Sequence, residues 1–105
     1  MKIIKPGLRY ELPYFDNPAK PGLSVQFIEK YASPDEPPEV SPTIRDGITS
    51  ESVLEMLIDR MRFLEAKFPC RENAFVIMKL EEALMWMDKR TVDRHQRGVI
   101  GKPLR

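Results

Sequence analysis

The alternation of apolar and polar residues divides the chain into a β-rich first half and a helical second half. Two runs, 8–14 and 23–30, alternate with a period of two, which is typical of half-buried strands. Their apolar positions are Leu8, Tyr10, Leu12, Leu23, Val25 and Phe27. The turn-forming residues 16–22 join the two runs into a β-hairpin, and residues 43–48 suggest one more short strand.

Residues 49–97 carry apolar residues at helical spacing and predict two antiparallel helices. Thr49 or Ser50 caps the first helix, and Glu51 suits its positive first turn. Phe68-Pro69-Cys70 forms the connection, because proline cannot continue a helix. The second helix runs from about residue 71 to residue 96, before the natural stop at Gly98.

Each predicted helix has an apolar stripe, and the second helix has apolar residues beyond it. The first stripe is Val53, Leu54, Leu57, Ile58, Met61 and Leu64. The second helix is expected to face the first with Ala74, Ile77, Met78, Leu84, Met85 and Thr91. The surplus apolar residues are Phe75, Val76, Leu80, Trp86 and Met87. One partner helix cannot cover this surplus, so the β-hairpin or a second copy of the chain must cover it.

These elements predict an α+β fold, with an N-terminal antiparallel β-hairpin or small sheet followed by a C-terminal antiparallel two-helix hairpin. The 105 residues fit one domain. Its β-rich part is 1–48, including a proline-rich, acidic linker at 32–42 that no helix or central strand would tolerate. The helical hairpin is 49–97, and 98–105 is a tail.

The net charge of +1 hides an uneven distribution. Residues 89–105 hold six basic residues and one acid, whereas the rest of the chain is net acidic. This asymmetry favours a local anion site over a long nucleic-acid track, so no DNA binding is expected. The single cysteine suits a reducing cytosol, and no apolar run suggests a signal peptide or a membrane span.

The residues offer no plausible set for catalysis or metal binding. His95 is the only histidine and Cys70 the only cysteine, which is too few for a zinc site. His95 has no evident nucleophile or acid beside it, and Cys70 is interpreted as a small packing residue. We therefore expect no enzyme activity, no metal and no cofactor.

Phe63 and Asn73 flank the turn between the helices and allow two interpretations each. Phe63 is either a core aromatic or a plate on which a nucleobase stacks. Asn73 either helps to satisfy the end of the second helix or reads a base edge or ribose hydroxyl with its amide.

Arg90, Arg94 and Arg97 follow at i, i+4 and i+7, so they share one face of the last turns of the second helix. Cations at a helix C-terminus already suit the helix dipole, and a solvated basic end is one interpretation. The other is a phosphate clamp, for which the planar, bidentate guanidinium is better suited than lysine.

Several segments, taken in order, resemble the hairpin domain shared by phage Thoeris anti-defence proteins and phage anti-CBASS sponges. They are Gly47-Ile48-Thr49-Ser50-Glu51, Ile58-Asp59-Arg60, Cys70-Arg71-Glu72-Asn73-Ala74, the run Lys79–Asp88, and Lys89–Val99. The strand-then-hairpin order is closer to the Thoeris type, because the anti-CBASS type is essentially all helical.

The resemblance implies a protein that sequesters cyclic nucleotide immune messengers without destroying them, in the cytoplasm of the phage's host. Phe63 and Asn73 would line a pocket for cyclic ADP-ribose isomers. Arg90 and Arg94 would hold the phosphates of cyclic di- or trinucleotides at a separate site between subunits of a dimer or hexamer. The alternative is a phage structural or regulatory protein that uses the hairpin only to oligomerise.

The first 46 residues depart from the family pattern. The proline-rich stretch 34–42 resembles an insertion between strands. The basic residue that the family's N-terminal part adds to the pocket has three candidates here: Arg9, Lys30 and Arg45. These departures bear on the identity of the ligand more than on the fold.

Overall fold

The computed structural model describes residues 1–30 and 43–98, in which five strands precede two helices. The elements are β1 (Lys2–Lys5), β2 (Arg9–Leu12), β3 (Leu23–Gln26), β4 (Glu29–Lys30), β5 (Thr43–Arg45), α1 (Ser50–Lys67) and α2 (Arg71–Gln96). This order confirms the predicted α+β fold. The predicted linker 32–42 and the tail after Gly98 lie outside the described residues.

The first three strands form an antiparallel sheet in the order β1-β2-β3. Tyr10 in β2 lies opposite Ile3 in β1 and Val25 in β3, and Leu12 lies opposite Leu23. Because opposed residues point to the same face, one face of the sheet is apolar and the other is polar. The predicted β-hairpin is confirmed as β2 and β3.

Strand β1 was not predicted, because Lys2-Ile3-Ile4-Lys5 does not alternate. Its pairing depends on the turn that follows. Leu8 N–H donates to the Lys5 carbonyl at 3.0 Å, and Gly7 has φ of 75°. Proline at the second position and a positive-φ glycine at the third are typical of a type II turn.

The second predicted strand is interrupted, and its last part pairs with β5 in a separate two-stranded sheet. Between the two sheets, Ile48 N–H donates to the Gln26 carbonyl at 2.8 Å, and Ile28 N–H donates to the Ile48 carbonyl at 2.9 Å. Gly47 makes this approach possible, since a Cβ there would lie 2.5 Å from the Gln26 carbonyl oxygen. The chain therefore enters α1 directly beside the end of β3.

Both helices begin with a side-chain cap. Thr49 Oγ1 accepts from Ser52 N–H at 3.2 Å, so Thr49 is the N-cap of α1. Cys70 Sγ accepts from Asn73 N–H at 3.4 Å at the start of α2. Gly98, with φ of 70°, follows α2 in the left-handed conformation that helix ends favour. The boundaries agree with those predicted.

The face that α2 turns toward α1 agrees with the prediction only at Ile77 and Leu84. The residues of α2 that are at least partly buried repeat at spacings of three, four or seven: Asn73, Ile77, Leu80, Leu84, Met87 and Arg94. The predicted facing residues Ala74, Met78, Met85 and Thr91 are instead exposed. Helix α2 has two apolar stripes, and spacing alone does not decide which of them packs.

Little apolar surface is fully buried in one copy of the chain. Ile58, 6% exposed, is the only buried apolar residue within residues 1–30 and 43–98. Large apolar side chains remain exposed along the outside of α2: Phe75, Val76, Met78, Met85, Trp86 and Val92. In the part of the chain that the structure describes, no helix has the length and apolar character needed to cross a bilayer.

Candidate functional site

A cleft of about 540 Å³ lies where the start of α1 and the end of α2 meet the strands. Arg90, Thr91 and Arg94 line it from α2. The start of α1 contributes Thr49, Ser50 and Glu51, and the strand side contributes Gly7, Tyr10, Phe27, Ile28 and Ile48. Met87 completes the lining. The cleft thus combines two cations, a helix N-terminus and two aromatic rings.

The fold assembles this cleft from segments that are far apart in sequence. The hydrogen bonds of Ile48 to the end of β3 fix the start of α1 beside Phe27. Because α2 runs antiparallel to α1, its last turns return to the start of α1. Arg90 and Arg94 are therefore brought to the strands by the length of the two helices.

Arg94 is buried, and this was not predicted. It is 7% exposed, which makes it the only buried charged residue in the described part of the chain. Burial lowers the pKa of Arg94 from its usual range, and the positive charges of Arg90 and Arg97 lower the pKa further, while Asp93 opposes the shift. A bound anion would relieve the repulsion among these cations.

The three arginines do not share one environment, although they share one helical spacing. Arg97 Nε donates to Asp93 Oδ2 at 3.0 Å and does not line the cleft. Arg90 is exposed and lines the cleft, and no described carboxylate lies within ion-pair distance of it. The cationic groups presented to the cleft are those of Arg90 and Arg94.

The aromatic wall of the cleft was missed by the sequence analysis. Tyr10 and Phe27 are half-buried and meet edge to face, with ring centroids 5.9 Å apart and planes at 86°. Both were predicted only as inward-facing strand residues. The sequence does contain one sign of this approach. Gly47, directly before Ile48 and the Thr49 cap, has no side chain and so allows the end of β3 to come close to the start of α1.

The positive end of the α1 dipole adds to the field in the cleft. The first N–H groups of a helix have no acceptor within the helix, and they favour negative charge. Ser52 N–H donates to the Thr49 cap, which leaves the N–H groups of Ser50 and Glu51 as donors beside the cleft. Arginines and a helix N-terminus together suit a phosphate group.

Phe63 and Asn73 lie at the opposite, turn end of the helical hairpin. Phe63 is 58% exposed with Lys67 Nζ 5.6 Å from its ring centroid, so the alternative of a core aromatic is wrong for a single copy. Asn73 Nδ2 donates to the Phe68 carbonyl at 3.4 Å, which helps to close the turn. Neither residue lines the 540 Å³ cleft.

The three N-terminal candidates for a basic pocket residue are dispersed. Arg9 Nε donates to Gln26 Oε1 at 2.8 Å on the polar face of the sheet. Lys30 ends β4 and Arg45 ends β5, and both are exposed. None of the three lines the 540 Å³ cleft, and their role in a ligand pocket stays a prediction.

One other sequence interpretation is wrong. Cys70 is exposed and caps α2, so it is not a packing residue. Glu81 on α2 is exposed and forms an ion pair with Arg62 on α1 at 2.7 Å.

Comparisons with known proteins identify relatives of the helical hairpin. A family model described as "Acb2/Tad1, hairpin domain" matches residues 26–92. A curated protein of Bacillus phage SBSphiJ7, named "Thoeris anti-defense 1", is 51% identical over 57 residues. That alignment covers 53% of this chain and 40% of the relative. The matched region includes the start of α1, the turn and most of α2.

Proposed function

Because the chain belongs to the Acb2/Tad1 hairpin-domain family, we propose that it is a phage anti-defence protein that sequesters cyclic nucleotide immune messengers without cleaving them. The ligands are cyclic ADP-ribose isomers, cyclic di- or trinucleotides, or both. The 51% identity to Thoeris anti-defense 1 supports the anti-defence role. The site of action is the host cytoplasm, where such messengers are made.

The observation that carries the proposal is the cleft at the end of α2. Arg90 and Arg94 line it together, and the charge of Arg90 contributes to the lowered pKa of Arg94. A volume of about 540 Å³ lies within the range typical of small-molecule sites. The Tyr10 and Phe27 rings offer an apolar wall beside the phosphate-binding groups. This combination suits a ligand made of phosphates and bases.

The turn end supplies the second proposed site, for cyclic ADP-ribose isomers. Phe63 presents most of its ring to the outside, and Asn73 retains a side-chain carbonyl that can accept a hydrogen bond. An exposed ring can stack on a base but leaves the other face of that base in water. A second surface is therefore needed to enclose the ligand. We propose that a second copy of the chain provides that surface.

Assembly into a dimer or hexamer is therefore part of the proposal. The outer stripe of α2 leaves Phe75, Met78, Met85 and Trp86 between 46% and 54% exposed. A second copy packed on this stripe would remove that apolar area from water. Light scattering at micromolar concentration should give a mass of at least two chains, and a monomer across that range would contradict the assembly.

Calorimetry with purified messengers tests the binding. Wild type should bind at least one cyclic nucleotide, and Arg90→Ala should weaken a cyclic di- or trinucleotide about tenfold to a hundredfold, because one charged hydrogen bond is lost. Arg60→Ala, an exposed arginine of α1 outside the cleft, is the matched control and should bind like wild type.

Recovery of the ligand separates sequestration from hydrolysis. After overnight incubation with excess protein, denaturation should release the messenger chemically intact, as read by chromatography and mass. Linear products would mean cleavage. Oligomerisation without binding of any messenger would favour the alternative, a phage structural or regulatory protein built on the same hairpin.

A further inference from the structure

Glu65 is a half-buried acid of α1 that reaches into the connection between the two helices. Its Oε1 accepts from Cys70 N–H at 3.0 Å. Its Oε2 is covered from solvent, and no donor within residues 1–30 and 43–98 bonds to it. The hydrogen bond to Cys70 is therefore the directional contact that Glu65 makes in the described part of the chain.

Two further hydrogen bonds continue from the connection to Asn73. Cys70 Sγ accepts from Asn73 N–H at 3.4 Å, and Asn73 Nδ2 donates to the Phe68 carbonyl at 3.4 Å. Phe68 N–H donates in turn to the Leu64 carbonyl at 2.7 Å, at the end of α1. Glu65 on α1 and Asn73 on α2 are thus linked through the turn that joins the helices.

These bonds decide which end of the Asn73 amide a ligand meets. A carbonyl oxygen only accepts hydrogen bonds, so the Phe68 carbonyl selects the Nδ2 end of the amide. The Oδ1 end makes no hydrogen bond with the described residues. Asn73 therefore offers an acceptor, which suits a ligand group that donates, such as an exocyclic amine or a ribose hydroxyl.

We infer that Glu65 is a positioning residue of the turn-end site, which holds Asn73 with its amide oxygen available to a hydrogen-bond donor of the ligand. The inference deepens the proposed function of the turn end and rests on it. Glu65 does not touch the ligand, because its second oxygen is covered. It fixes Cys70, and with it the path of the chain from Phe68 to Asn73. Without this bond the turn gains conformations, and the Asn73 amide is free to present either end.

A role of Glu65 in stability alone makes a different prediction. If Glu65 only closes the turn, its loss affects ligand affinity independently of Asn73. If Glu65 acts through Asn73, its effect on affinity disappears once the Asn73 amide is removed. A double-mutant cycle separates the two roles, because residues that act through one another give non-additive losses.

The test is calorimetry with a cyclic ADP-ribose isomer on wild type, Glu65→Ala, Asn73→Ala and the double variant. Each single variant should bind about three- to tenfold more weakly, the cost of one uncharged hydrogen bond. The double variant should bind no more weakly than Asn73→Ala. Glu65→Gln keeps an acceptor for Cys70 N–H and should regain most of the affinity. Glu55→Ala, an exposed acid of the same helix further from the turn, is the matched control and should bind like wild type.

Nuclear magnetic resonance tests the positioning without ligand. The side-chain amide signals of Asn73 should shift in Glu65→Ala and stay in place in Glu55→Ala. Unmoved signals in Glu65→Ala would overturn the inference, because they would show that Asn73 keeps its environment without the carboxylate.

The binding outcomes separate a failure of the inference from a failure of the proposed function. Additive losses in the double variant, or wild-type affinity of Glu65→Ala, would overturn the inference while the turn-end site stands. Absence of binding by wild type would remove the proposed turn-end site, and the inference would fail with it.

Discussion

The two ends of the helical hairpin differ in how much of a binding site one copy of the chain completes. At the strand end, five segments close a cleft around Arg90 and Arg94. At the turn end, Phe63 is mostly exposed and Asn73 is engaged with the turn. Both ends carry residues of types that bind ligands, but only at the strand end do other elements converge on these residues and form a cleft.

The two ends of the hairpin are also far apart along α2. Helix α2 is continuous from Arg71 to Gln96, so Asn73 and Arg90 are 17 residues apart on one helix. At about 1.5 Å per residue the separation is roughly 25 Å. One compact messenger cannot reach from Asn73 to Arg90 in the same copy. The proposed sites are thus separable within a protomer, and only packing between copies could join them.

The largest expected effect is a loss of ligand affinity at the strand end alone. Arg90→Glu with Arg94→Glu should weaken cyclic di- or trinucleotides at least about a thousandfold, because two charge-assisted hydrogen bonds are replaced by repulsion. Binding of a cyclic ADP-ribose isomer should remain near the wild-type value. Calorimetry with both ligand classes measures the two effects.

Arg94 is buried, so its reversal endangers the fold as well as the ligand site. Arg90→Glu alone changes an exposed residue and keeps the comparison interpretable. A parallel loss of both ligand classes in this single variant, with unchanged melting, would mean that assembly joins the two ends into one pocket.

A change in the shared body of the hairpin should affect both ends together. Ile58→Ala removes the only buried apolar side chain of the described residues and should lower the free energy of unfolding by about 2–5 kcal/mol. Leu57→Ala, next to it and 39% exposed, should cost clearly less. Chemical denaturation gives both values. Equal losses for the two variants would show that Ile58 is no more important for packing than its exposed neighbour.

A third substitution tests the turn end alone. Phe63→Ala should weaken a cyclic ADP-ribose isomer about tenfold to a hundredfold, the cost of one lost base stack. Stability should change little, because the ring is 58% exposed. Phe68→Ala is the matched control, since Phe68 follows the last residue of α1, is also exposed and also lies near Lys67. If both variants bind equally well, Phe63 is not a stacking plate.

The fold was largely predictable, because its signals are local. Alternation identified β2 and β3, Thr49 identified the start of α1, and Gly98 identified the end of α2. Strand β1 escaped because it lacks alternation and depends on pairing with β2. The packed face of α2 was assigned only partly correctly. Ile77 and Leu84 are partly buried as predicted, but the helix has two apolar stripes and a single sequence does not rank them.

The candidate site was only partly predictable. The three arginines Arg90, Arg94 and Arg97 were identified by their spacing, and Arg90 and Arg94 were selected from them by the family resemblance. Both of these line the cleft. The environments of the arginines were not predicted. The spacing places Arg90, Arg94 and Arg97 on one face, but it does not reveal that only Arg94 is buried. Tyr10, Phe27 and Glu51 come from distant parts of the chain, so their shared position depends on the tertiary structure.

The smallest expected effect is a difference between the two ends in how their ligand affinity depends on salt. Raising the ionic strength from about 0.05 to 0.5 M should weaken cyclic di- or trinucleotide binding several-fold, because the arginines act on phosphates through a screened field. Stacking on Phe63 should give the turn end a shallower dependence. Identical salt slopes for the two ligand classes would argue against distinct chemistry at the two ends.

A sequential titration shows whether the two ends bind separate ligands. The protein is first saturated with a cyclic ADP-ribose isomer that it binds, and a cyclic dinucleotide is then titrated in by calorimetry. We predict the same affinity and stoichiometry for the dinucleotide as in the unsaturated protein. Loss of dinucleotide binding after saturation would contradict the account, because it would mean that both messengers compete for a single pocket.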